Sequence, residues 1–124
     1  MRLSIDIEEL RSQALVLVDD HARQAMDRIE QGRSSEYAIK ADEARDLSQE
    51  TPVLDAEAQA RGITRDELAG MVIEAQERSQ ELVKEVALVR GPACARIRGA
   101  KDRAVIARVR SEATQALDAI GQGD

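Results

Sequence analysis

Along most of the chain, apolar residues return every three or four positions, which is the period of a helix with one buried stripe. From Ile7 the stripe passes through Leu10, Ala14, Leu17, His21 and Ala25, widened by Leu3, Val18, Ala22 and Ile29. Residues 1–31 are therefore expected to form one long helix, stopped at Gly32, because glycine readily takes the left-handed conformation that ends helices. Ser34 or Ser35 can cap a shorter helix through about Gln49, with Tyr37, Ala41, Ala44 and Leu47 facing inward. Thr51-Pro52 marks the next boundary, since proline suits a first helical turn, and Gly62 closes the two turns that follow.

Thr64 with Glu67 three residues on has the spacing of a capping box. Asp66 and Glu67 also sit where the helix dipole favours negative charge. Beyond them Leu68, Val72, Ala75, Ser79, Leu82, Val86, Val89 and Ala93 alternate steps of four and three, a heptad-like seam suited to packing against other helices. Pro92 is expected to kink or break this helix, with Gly91 and Gly99 loosening the same region. A last helix, about Asp102 to Ile120, has Ile106, Val109, Ala113, Ala116 and Ile120 at helical spacing, and Gly121 and Gly123 end it. No strand and no internal repeat is visible.

The expected fold is thus all-α: an N-terminal helix over 1–32 that could serve as an arm, short linking helices over 33–63, and an antiparallel helical hairpin over 64–124. The pattern leaves open whether the first helix docks in its own chain or in a neighbour.

Composition shapes how such helices pack. There are 20 Ala against 28 Leu, Ile and Val, one Tyr (Tyr37), and no Phe or Trp. Alanine is the best helix former but removes little apolar area from water when buried. Long helices and association into oligomers offset that deficit, so a homo-oligomer is expected.

The formal charge is −6, but its distribution says more. Residues 41–81 hold 11 acidic against 4 basic side chains, a net of −7. Residues 90–110 hold 7 basic side chains (Arg90, Arg96, Arg98, Lys101, Arg103, Arg108 and Arg110) against Asp102, a net of +6. Such asymmetry serves self-association, an acidic partner or nucleic acid, or is a plain solvated face. No aromatic residue accompanies the basic cluster to stack on bases, and the net charge of the chain opposes phosphate, so nucleic acid is the less favoured partner.

Candidate chemistry is sparse. His21 is the sole histidine, and a metal site built with Asp20 and Asp27 would lack a second imidazole. Cys94 is the sole cysteine, which excludes an intramolecular disulfide, and it fits a buried core position better than a nucleophile. The pairs Asp42-Glu43 and Asp66-Glu67 fall on first turns or exposed faces, where helix physics already explains them. No phosphate loop or nucleophile elbow occurs, so no enzymatic activity, metal or cofactor is expected. The run Ala14-Leu15-Val16-Leu17-Val18 is far shorter than the roughly 20 residues of a membrane span. Asp6, Glu8 and Glu9 before it do not suit a secretory signal, so the chain reads as cytoplasmic at synthesis, with no membrane partner.

The order of features carries one resemblance. The run Glu36-Tyr37-Ala38-Ile39-Lys40-Ala41-Asp42-Glu43-Ala44 is followed by Gly62-Ile63-Thr64 with Glu67-Leu68-Ala69. Val89-Arg90 then precedes Ala93, Ile97, Ala100 and the last helix. This succession resembles small Ala-rich helical proteins encoded among the tail and tail-fibre genes of tailed bacteriophages, with Pro92 and the basic cluster as departures from it. The resemblance implies a structural accessory of the tail fibre or baseplate, made in the host cytoplasm and placed in the virion tail. It equally admits an assembly chaperone that is not retained there. Its partners would be other tail or fibre proteins, and it brings no catalytic residues. The seam Leu68, Val72, Ala75, Leu82, Val86, Val89 and the face Ile7, Leu10, Ala14, Leu17, Ala25 would then meet the partner. A small helical regulator using the 90–110 cluster on nucleic acid is the competing reading.

Overall fold

The structure, a computed structural model, describes residues 6–30 and 35–122. It contains five helices among the described residues and no strand: α1 (Ile7–Glu30), α2 (Ser35–Arg45), α3 (Pro52–Arg61), α4 (Arg65–Gly99) and α5 (Arg103–Ala119). The all-α expectation holds. The stop at Gly32, the cap at Ser34, Leu3 and the last glycine, Gly123, lie outside the described residues.

Local chemistry sets most boundaries. Gly62 takes φ +73°, and its amide donates back to the carbonyls of Ala58 and Gln59, which closes α3. The Thr64 hydroxyl accepts the Glu67 amide at 3.0 Å while the Glu67 carboxylate accepts from Thr64, the reciprocal capping box that starts α4. Asp102 accepts the Ala104 amide at 2.7 Å and starts α5. The second helix is shorter than the sequence suggests: it ends at Arg45 rather than near Gln49. There the Asp46 carboxylate takes both the amide and the hydroxyl of Ser48, a local turn that competes with helix. Those same bonds favour the ionised form of Asp46 and lower its pKa.

Pro92 does not break α4, which continues to Gly99. The missing amide frees the carbonyl of Leu88, and both Pro92 and Leu88 are exposed, so water can satisfy that carbonyl.

The chain forms two compact units. The first joins residues 1–29 to 82–124; the second is the contiguous segment 30–81. One division falls after Ile29, near the boundary expected at Gly32, and the other falls inside α4, at Leu82, and not at Ile63 as the sequence suggests. One seam was legible along α4, but its two ends serve different cores.

In the first unit α1 supplies Ala14, Val18, Ala22, Ala25 and Ile29, α4 supplies Val86, Ala93, Cys94 and Ile97, and α5 supplies Ile106, Val109, Ala113 and Leu117. The N-terminal helix docks in its own chain. It runs antiparallel to the second half of α4, since Arg11 reaches the Ala100 carbonyl while Asp19 meets Arg90. It runs parallel to α5, with Leu10 beside Arg103 along one cleft and Arg28 at the Leu117 carbonyl. The buried stripe is rotated from the one expected: Leu17 is 38% exposed, whereas Val18 is fully buried. Alanines take the inner positions because they let helix axes come close, a preference that a search for large apolar residues misses.

The second unit buries Ala41, Ala44, Leu54, Ala58, Leu68, Ala69 and Val72, with Tyr37 and Leu47 packed against them. Glu43 of α2 accepts the amides of Val53 (3.3 Å) and Leu54 (2.8 Å), capping α3 from outside. Thr51, the residue before the helix, instead donates its buried hydroxyl to Asp55 at 2.9 Å. Lys40 meets Glu57 at 2.9 Å, and that hydrogen bond lowers the Glu57 pKa.

Ile97 is fully buried in the first core, among Val18, Val86, Ile106, Val109 and Leu117. Ile97→Ala is expected to cost about 2–5 kcal/mol through lost transfer energy and a residual cavity. Urea unfolding followed by circular dichroism measures it, and a loss near zero would mean that the alanine-lined helices close over the gap.

Candidate functional site

The residues singled out in the sequence are dispersed by the fold. Of the α4 seam, Leu68 and Val72 belong to the second core and Val86 to the first, while Leu82 and Val89 pack at the first core's margin. Ala75 is exposed. On α1, Ala14 and Ala25 are buried, Ile7 and Leu10 are partly buried, and Leu17 looks outward. Most of the apolar side chains read as adhesive are thus used within the chain.

The basic cluster is exposed throughout, but it does not lie on one helix. Arg90, Arg96 and Arg98 are on α4, Lys101 is in the connection, and Arg103, Arg108 and Arg110 are on α5. Asp102 ends any continuity because its side chain starts the new helix. Arg90 forms an ion pair with Asp19 at 2.8 Å, and this hydrogen bond raises its pKa further.

His21 and Cys94 have structural surroundings. His21 Nδ1 lies 2.6 Å from a carboxylate oxygen of Asp118, which ties α1 to α5. Asp20 pairs instead with Arg23 at 3.2 Å. No group of three or more His, Cys, Asp and Glu among the described residues is arranged to hold a metal ion. Cys94 is a buried free thiol beneath a concavity of about 160 Å³ shared with Arg90, Gly91 and Arg98. No helix among the described residues is long and apolar enough to cross a membrane.

Among the described residues, surface clefts run between each pair of helices of the first unit. The α1/α4 cleft, about 380 Å³, is lined by Ala22, Met26, Val83, Val86 and Ala87 and bordered by the Asp19–Arg90 ion pair. The α1/α5 cleft, about 230 Å³, runs between Leu10, Gln13, Ala14 and Leu17 on one side and Arg103, Ile106, Ala107 and Arg110 on the other. The α4/α5 cleft, about 200 Å³, holds Leu88, Val89, Pro92 and Ala93 with Arg96, facing Val109, Glu112 and Ala113. Leu88 is the most exposed of the large apolar side chains at 64%, close to Val16 at 61%. These clefts offer apolar walls with charged rims, a chemistry suited to a helix laid lengthwise.

Two arginines escaped the sequence reading. Arg11 donates through Nε to the Ala100 carbonyl at 2.7 Å, just past the end of α4. Arg28 Nη2 donates to the carbonyls of Leu117 (2.8 Å), Asp118 (3.4 Å) and Ile120 (3.1 Å), at the end of α5. Terminal carbonyls have no partner within their own helix and carry the negative end of its dipole, so a guanidinium is well matched to them. The signal was present: Arg11, Ala14, Val18, His21, Ala25 and Arg28 recur at alternating three and four. Of the polar residues on this stripe, Arg11 and Arg28 meet backbone carbonyls and His21 meets the Asp118 side chain.

Comparison with known protein families, characterised proteins and solved structures returns no match.

Arg28→Met should destabilise the first unit by about 1–3 kcal/mol, because charge-assisted bonds to carbonyls at the α5 terminus are lost. Thermal unfolding by circular dichroism reads this. An unchanged midpoint would show that water replaces the guanidinium at no cost.

Proposed function

We propose that this protein is a helical binding module, a structural accessory of a bacteriophage tail fibre or baseplate. In this reading the second half of α4 and α5 act as an antiparallel hairpin that presents the α4/α5 cleft to a helix of another tail protein. The observation that carries the binding role is Leu88. It is 64% exposed beside Val89 and Pro92, with Arg96 and Glu112 at the same cleft. A large apolar side chain left in water next to an apolar groove with charged borders is suited to be buried by a partner. The assignment to a tail rests on the order of motifs from Tyr37 through Gly62-Ile63-Thr64 to Val89-Arg90.

Mass spectrometry of purified virions is the test. The chain is expected among the tail proteins, and Leu88→Asp should abolish its incorporation while leaving its helical content unchanged. Presence in infected cells but absence from mature particles would exclude the structural form and leave the assembly chaperone. Absence from both would remove the phage assignment.

The exposure of Arg96, Arg98, Lys101, Arg108 and Arg110 favours one competing reading, a regulator that binds nucleic acid. A salt titration of binding to DNA and RNA distinguishes it. No detectable complex at low salt, where phosphate contacts are strongest, eliminates that reading.

A further inference from the structure

The two ends of the charge asymmetry lie on different units, and each is accompanied by uncovered apolar surface. In the first unit, Arg103 and Arg110 line the α1/α5 cleft, whose apolar walls include Leu10, Leu17 and Ile106. They are seven residues apart on α5, or about 10.5 Å along the helix. In the second unit, no side chain from residue 74 to residue 81 of α4 is buried, although the heptad stripe read from the sequence passes through it. That stretch carries Glu74 and Glu81 with the same seven-residue separation, and Glu77 and Arg78 between them, a net charge of −2 from three acids and one base. Met71, one turn earlier, is 47% exposed.

We propose that the α1/α5 cleft receives the acidic middle of α4 from a second copy of this chain. A helix laid along the cleft brings Glu74 and Glu81 to the two arginines in register and leaves Met71 to pack at an apolar wall. Sign, spacing and apolar character all match within one sequence. A guanidinium has five donors, so Arg103 can accept a carboxylate alongside any other contact. The acidic stretches of two copies would repel each other, which excludes a symmetric pairing of α4 with α4. The contact therefore joins two different surfaces: reciprocal exchange between two copies gives a two-fold dimer, and one-way repetition closes a ring or extends a filament. The inference deepens the reading of this protein as a helix-binding module by naming one partner. It uses a cleft other than that of Leu88, so its failure would leave the virion test intact.

Sedimentation velocity of the full chain tests it at about 50 mM and about 500 mM salt. Association is expected at low salt and should weaken on the order of tenfold at high salt. Arg103→Glu with Arg110→Glu, and separately Glu74→Arg with Glu81→Arg, should each give monomers with wild-type circular dichroism. All four positions are exposed, so the fold is not at stake. Mixing the two reversed proteins should restore association, because the intact cleft of one meets the intact acidic stretch of the other and the opposite pairing is rebuilt with its charges exchanged. A wild-type chain that is monomeric at low salt overturns the proposal. So does a reversal that leaves association intact, or a mixture that stays monomeric.

Discussion

Alanines at the inner positions let the helices of the first core approach closely enough for their larger side chains to meet. Among the described residues, six alanines are interleaved there with valines, isoleucines and Leu117, of which Val18, Ile97 and Leu117 are fully buried. Each alanine removes little area from water, so its contribution comes from letting neighbouring backbones and the larger side chains into contact. That constraint explains why Val18 rather than Leu17 faces inward.

Close packing also brings side chains of α1 within reach of the ends of other helices. Arg11 serves the end of α4 and Arg28 the end of α5, while His21 meets Asp118 between them. The same device appears in the second unit, where Glu43 of α2 supplies the cap that Thr51 does not give to α3. A protein short of apolar area here uses charged side chains against helix termini, where each bond satisfies a backbone group that would otherwise lack a partner.

How much of this could be read from the residues depended on range. Capping signals are local, so Thr64 with Glu67 and Gly62 marked their boundaries correctly, whereas Asp102 was placed only as the approximate start of the last helix and its capping bond came from the structure. The end of α2 failed for the complementary reason: Asp46 bonds to Ser48, and that local turn won over continued helical periodicity. Pro92 does not end α4, because its cost depends on whether the freed carbonyl reaches water, which is a tertiary property. The unbroken seam on α4 was real as periodicity and misleading as a surface. Period alone does not say that Leu68 and Val86 serve different cores, or that Ala75 between them serves neither. The clefts needed three helices to be placed, and only the exposed positions of the basic cluster were available beforehand.

The first unit is assembled from two stretches of chain separated by the whole of the second. During synthesis α1 therefore emerges long before α4 and α5 exist to receive it, with its alanine-lined face unsatisfied. Residues 30–81, being contiguous, can fold as soon as they leave the ribosome, since their contacts close short loops. The helix translated first is thus the one whose core is completed last, once α4 and α5 have emerged to cover it.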